Sequence, residues 1–192
     1  MSDMEVVLSH ADVVAKNRII YFSGLFNENL AQKTITDLLR YENEDPTKDI
    51  LIIIDSYGGQ VDSFMAIHDA IKLCRCDVAT LCLGKAMSCG QMLLISGTKG
   101  KRFITRNSRV LVHAVSSFNW GNIHQIENDV KELKRIQKVL EGMIVSYTDI
   151  KPKHLTEIMS KDSYLSAEEA VKLGLVDYVV KNNKEIYDKI KI

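Results

Sequence analysis

Two apolar runs constrain the fold of this chain more than any other feature. DILIIID (49–55) and DVATLCLG (77–84) are aliphatic and β-branched stretches without polar alternation. A strand with one wet face alternates apolar and polar side chains, so unbroken runs mark strands covered on both faces, as in a parallel sheet under helices. Between them, VDSFMAIHDAIKLCR (61–75) carries apolar residues at helical spacing. It supplies the crossover that a parallel pair requires. Gly58 and Gly59 break the first run before that helix starts.

The same alternation extends along the chain. RIIYFSG (18–24) reads as a short strand ended by Gly24, and a helix follows, with Asn27 as its cap and Pro46 just past its end. After the second buried strand come a helix over about 88–96, a turn at GTKGKR, and strands at RFI and RVLVHAV. Ile126, Val130, Leu133, Ile136, Val139, Leu140 and Met143 recur at intervals of three or four, which predicts one long amphipathic helix over 122–148. A short helix near 152–160, a helix at SAEEAVKLG stopped by Gly174, and a VDYVV strand complete the reading. The pattern predicts one α/β domain over 1–192 with mostly parallel pairing.

Composition narrows the function. Lys plus Arg and Asp plus Glu stand at 25 each, so the basic field that non-specific nucleic-acid binding needs is missing. MSDMEVVLSHADVVAKN lacks the charged start and apolar core of a secretory signal, and no run approaches the roughly 18 apolar residues of a membrane span. A soluble, cytoplasmic protein without membrane partners is expected. The four cysteines, Cys74, Cys76, Cys82 and Cys89, fall in one short segment, whereas a disulfide framework spreads them over the fold; reduced thiols are expected. Cys74 and Cys76 form a CxC pair without a matching second pair, so no metal site is assigned.

In open α/β sheets ligands lie beyond the carboxyl ends of the strands. Two glycine-containing loops leave the two buried strands at that edge, DSYGGQV and GKAMSCG (84–90). Ser88, in the second, is either a buried structural serine or a nucleophile at a strand-to-helix junction, where free N–H groups favour developing negative charge. Gly58 and Gly59 allow close backbone approach, which an anion hole needs. His113 ends the run RVLV and so reaches the same edge, as a base or as an ordinary polar strand end. Carboxylates are too numerous for spacing to choose a third member.

Taken together, RIIYFSG, EDPTKDILIIIDSYGGQVDSFMAIHDAI, GKAMSCGQMLLISGTKGKRFITRNSRVLVH and DSYLSAEEAVKLGLVDYVV resemble the proteolytic subunits of Clp proteases, over roughly residues 17 to 180. The resemblance implies the crotonase-like fold of repeated β/α units, with a mostly parallel sheet head and a protruding handle helix at about 122–148. It implies a serine endopeptidase that hydrolyses peptide bonds of unfolded proteins and peptides. The nucleophile falls on Ser88, the general base on His113 and the triad aspartate on Asp162. Backbone N–H groups of Gly59 and Cys89 become the oxyanion donors, with Gly58 and Ala114 supporting the substrate groove. The chain's main partner becomes itself, as two stacked heptameric rings, with an AAA+ unfoldase of the ClpX, ClpA or ClpC type docking at Leu51, Ile53 and Leu73. Residues 1–16 correspond to an axial segment. No cofactor belongs to the chain, since ATP is used only by the separate unfoldase. Alternatives are a non-catalytic or latent ring subunit, and a crotonase-like acyl-CoA enzyme with the same oxyanion chemistry.

The chain departs from that family pattern at several positions. Tyr57 replaces the proline before the double glycine, Ala114 and Val115 replace a Gln–Pro after the base, and Cys89 replaces a methionine. Ser160 and Lys161 stand where an acid–arginine pair links rings, and Leu51, Ile53 and Leu73 replace pocket aromatics. The main chain supplies the oxyanion donors, so the change at Cys89 leaves the hole intact.

Overall fold

In the computed structural model, which describes residues 17–118 and 120–192, the two unbroken apolar runs become adjacent central strands. The expectation for residues 1–16 lies outside the described residues. β1 (Ile19–Phe26), β2 (Ile50–Gly59), β3 (Val78–Met87), β4 (Arg102–Thr105) and β7 (Tyr178–Val180) form a parallel sheet in the order β1-β2-β3-β4-β7. β5 (Arg109–Val112) pairs with β3, and β6 (Ser163–Leu165) pairs antiparallel with β5. The fold is α/β with a mostly parallel sheet, as the sequence predicts.

Strand alternation divides the core in two. Ile50, Ile52 and Ile54 face α1 (Glu28–Glu44), α2 (Val61–Leu73) and α3 (Cys89–Ile95), among Phe22, Leu38, Phe64 and Ile67. Leu51 points the other way, into a smaller cluster with Leu81, Phe103 and Val180 that Ile186 and Ile190 close over. Ile186 belongs to α7 (Asn183–Tyr187), an element the apolar pattern does not announce.

The glycine breaks fall differently from the sequence expectation. Gly24 does not end β1: the strand continues to Phe26, and Gly24, at φ +104, absorbs a register shift between Ser23 and Leu25. Gly58 and Gly59 likewise close β2 from within. The fifth strand stops at Val112, so residues 113–118 run without regular structure.

α4 (Ile123–Tyr147) is the long helix, entered through a reciprocal Asn122–Gln125 capping box; Leu140 and Ile144 are its buried residues. Its base is tied down twice, once to a neighbouring helix and once to the sheet. His68 on α2 bonds the Tyr147 hydroxyl at 3.0 Å, and Arg102, 2% exposed, donates to Tyr147 O at 2.7 Å. Arg102 also pairs with both oxygens of Asp177. Burial alone raises the Asp177 carboxyl, but the Arg102 hydrogen bonds outweigh it and hold the group below its ordinary value. α5 (Pro152–Met159) and α6 (Ala167–Lys172) complete the chain.

Candidate active site

The site exists because β3 changes neighbours. Its first half, Thr80 to Cys82, pairs with Arg102 to Ile104 of β4, and its second half, Lys85 to Met87, pairs with Arg109 to Leu111 of β5. The exchange falls at Gly84, at φ +96. Ser88 follows directly and donates its backbone N–H to Leu111 O at 3.1 Å. β6 then lies against the far side of β5 with Val112 opposite Ser163, so the next pair in register is His113 and Asp162. Three residues far apart in sequence thus meet at one sheet corner.

Their side-chain geometry is less closed than the backbone register. Ser88 and His113 line one cavity of about 70 Å³, together with Gly59, Cys89 and Ala114. Asp162 Oδ1 lies 3.8 Å from His113 Nδ1, an ion-pair distance beyond hydrogen-bond range, and its carboxylate is 67% exposed. Ser88 itself has φ 54 and ψ −121, a left-handed conformation uncommon for a non-glycine residue. Strain of this kind persists where the surroundings over-determine it, here the strand before and the helix after.

Gly58 is there because nothing larger fits. A Cβ at this position would stand 2.6 Å from Ser88 Cβ and 3.2 Å from Cys89 N. The loop is held by Ser56, fully buried, whose hydroxyl accepts from Gly58 N–H at 3.1 Å and donates to Gly24 O. Ser56 carries little sequence signal, being a serine two residues before Gly58 in DSYGG. The Cys89 thiol donates to Gly59 O at 3.3 Å, tying the two glycine-bearing loops together. Burial pushes that thiol up to about 11, so it stays protonated at neutral pH. Cys89 is therefore no competing nucleophile.

Lys85 is equally unavailable as a base. Its amine pairs with Asp55 at 2.6 Å and lies 4.4 Å from the Tyr57 ring centroid. The hydrogen bond to Asp55 raises its pKa, which keeps it protonated. The same contact braces Tyr57, so the turn that lacks its proline gains a side-chain prop instead.

The other sequence-predicted positions separate. Ile53 lines a cleft of about 430 Å³ with Leu81, Leu83 and Ile186. Leu51 does not line it: at 2% exposure it is core, roofed by the cluster that includes Ile186 and Ile190. Leu73 is 83% exposed at the end of α2 and is not part of that cleft. The docking expectation is corrected at Leu51, because residues after Asn182 fold back over the strand face where it sits. Cys76 Sγ accepts from Arg18 Nη2 at 3.4 Å, which sets a cation where a metal would need to be. Among the described residues, no group of three or more His, Cys, Asp or Glu side chains is arranged to hold a metal ion. No helix among them is long and apolar enough to cross a membrane.

Comparison with known proteins identifies the family. Residues 2–183 match the family model described as Clp protease. The chain is 37% identical over 169 residues to the ATP-dependent Clp protease proteolytic subunit 2 of Frankia casuarinae, covering 88% of this chain and 78% of the relative. It is 38% identical over 174 residues to the protein of the same name from Chlamydia trachomatis, covering 91% and 86%. The chain belongs to the Clp protease family of serine endopeptidases.

Proposed function

We propose that Ser88, His113 and Asp162 form the catalytic triad of a peptidase acting on peptides and unfolded proteins. In this reading Ser88 Oγ attacks the scissile carbonyl while His113 takes its proton and then gives it to the leaving amine. Asp162 orients the imidazole, and water releases the acyl group by the same steps in reverse roles. The observation that carries the reading is the strand register: Leu111 receives the Ser88 N–H, and the pair after Val112–Ser163 is His113–Asp162. Catalytic hydrogen bonds commonly tighten on substrate binding, so a 3.8 Å separation is compatible with the triad.

The oxyanion falls to two backbone donors. Cys89 opens α3, so its N–H has no acceptor within the helix. Gln60 N–H turns toward Phe26 O, and the alternation along β2 directs Gly59 to the opposite side, where its carbonyl meets Cys89. The chain needs no cofactor for this chemistry.

Assembly follows from the surface of α4. Ile123, Ile126 and Val130 are exposed along the helix, and Phe118 and Trp120 just before it are 90% exposed. Exposed apolar side chains of this kind call for a partner, and a second copy in a stacked ring supplies it. The relatives are named as subunits of ATP-dependent proteases. An unfoldase that consumes ATP and feeds a cytoplasmic chamber accords with those names.

The open Asp162 contact favours one second reading, a latent ring subunit that closes its triad only in the assembly. One experiment separates the two. Wild type and Ser88→Ala are treated with a fluorophosphonate probe, read by intact mass, with native mass on the same samples. Labelling of the wild type alone is expected. An unlabelled wild type of full ring mass supports latency, and turnover by Ser88→Ala refutes the nucleophile.

A further inference from the structure

His113 stands between two anchors. On one side, the ladder to β6 ends with Val112 opposite Ser163. On the other, two residues on, the Val115 N–H donates at 2.8 Å to Oε1 of Gln137, a side chain of α4. Residues 113–118 have no regular structure, so their backbone groups must find partners outside a ladder. The Asp162 carboxylate, 3.8 Å from His113 Nδ1 and 67% exposed, does not hold the imidazole by a hydrogen bond. The main chain on either side must therefore hold it.

The surroundings of Gln137 fix which end of its carboxamide faces Val115. Nε2 donates to Glu141 Oε1 at 2.8 Å, one helical turn on, and to Met159 Sδ of α5 at 3.7 Å. A flipped carboxamide would set its oxygen against the Glu141 carboxylate and its NH2 against the Val115 N–H. α4 is itself seated by the buried Leu140 and Ile144, which line the same cavity as Ser88 and His113. Val115 stands where the family pattern has proline, which fixes its own φ and has no N–H. Valine lacks that restraint but keeps the N–H, and Gln137 accepts it.

We infer that Gln137 is a positioning residue, fixing through the Val115 N–H the segment from which His113 reaches Ser88. The inference rests on His113 as the base of Ser88. Loss of Gln137 leaves the triad in place but spreads His113 over positions of which only some reach the Ser88 hydroxyl. One hydrogen bond bounds that shift in population, so the expected fall in kcat is about tenfold.

The test uses the full-length protein, a fluorogenic peptide and a fluorophosphonate probe. Gln137→Leu removes the acceptor and keeps a residue of similar helix propensity. It is expected to lower kcat and the labelling rate by that factor, with KM within twofold of the wild type. Two backgrounds show whether the effect runs through the bond. Val115→Pro has no N–H to give, so adding Gln137→Leu to it is expected to change kcat by less than twofold. Gln137→Glu combined with Glu141→Gln exchanges the two ends of the pair and keeps an acceptor for Val115, so kcat is expected to return to within threefold of the wild type. Where Val115→Pro is itself inactive, the exchange variant decides alone. Native mass and thermal melting establish that each variant is folded and assembled. A folded Gln137→Leu within twofold of the wild-type kcat, an equal fall in the Val115→Pro background, or an exchange variant as slow as Gln137→Leu overturns the role of Gln137 while leaving the triad standing. A wild type that neither labels nor cleaves overturns the reading of Ser88 and His113, and the inference falls with it.

Discussion

Gly58→Ala puts the closest packing in the site under test. A Cβ there would lie 2.6 Å from Ser88 Cβ, whereas ordinary contact begins at 3.4 Å, so the two must part by 0.8 Å. It would also stand 2.8 Å from Met87 O, which lies in β3 and cannot retreat without breaking the ladder to β5. Ser88 is the movable partner, yet it already occupies a left-handed conformation. A nucleophile misplaced by about 1 Å loses about a hundredfold in rate, and that is the expected fall in kcat/KM. Alanine at φ +102 adds backbone strain of about 1–3 kcal/mol. For a chain of this size that lowers the melting temperature by about 2–12 °C. The assay is hydrolysis of a fluorogenic peptide beside the rate of fluorophosphonate labelling, with native mass as the control for assembly. An assembled Gly58→Ala within threefold of the wild-type kcat/KM would refute contact between Gly58 and Ser88 as a condition of catalysis.

Three further outcomes follow from buried groups. Arg102→Met leaves Asp177 without its partner and the Tyr147 carbonyl without its donor, which costs about 3–5 kcal/mol, or roughly 6–20 °C in melting temperature. Because the Asp177 carboxyl is held below its ordinary value, its contribution is present above the unfolded carboxylate pKa of about 4 and is lost as pH falls through the lower folded value. Denaturant midpoints should therefore drop at the acid end in the wild type, and that drop should vanish in Arg102→Met; an equal drop in both would dismiss the pair as its source. Burial pushes the Cys82 thiol up to about 12 and the Cys89 thiol up to about 11, so iodoacetamide at pH 7.5 should leave both unmodified in the native protein. Fast alkylation of native Cys89, read by peptide mass mapping, would show that the site opens to solvent.

The elements were legible where a local pattern encodes them. The unbroken runs at 49–55 and 77–84 are β2 and β3, the Asn27 cap accepts from Leu30 N–H, and the three-four spacing after Asn122 is α4. The breaks were less legible, because glycine marks unusual backbone without saying whether a strand bends or ends; Gly24 bends one. β6 and α7 escaped notice for want of length: Ser163–Leu165 and Asn183–Tyr187 are too short to show a period. Ser88 and His113 could be singled out at strand ends, but Asp162 came only through resemblance, since many carboxylates are equally polar and equally spaced.

Local residue patterns thus dictate local features: buried strands, amphipathic helices, and the polar residues that must stand where strands stop. Tertiary structure alone decided that β3 exchanges β4 for β5 at Gly84, which turns two strand ends into one corner holding Ser88 and His113. It decided that Leu51, as apolar as Ile53, is sealed beneath Ile186 and Ile190 while Ile53 faces a cleft. It also decided that, among the described residues, Gln91 Nε2 has no hydrogen-bond partner. Periodicity reports which face of an element avoids water, because that depends on neighbours a few residues away. Which surface covers that face, and which donor is left unmet, depends on pairings between distant segments whose energies no local window contains.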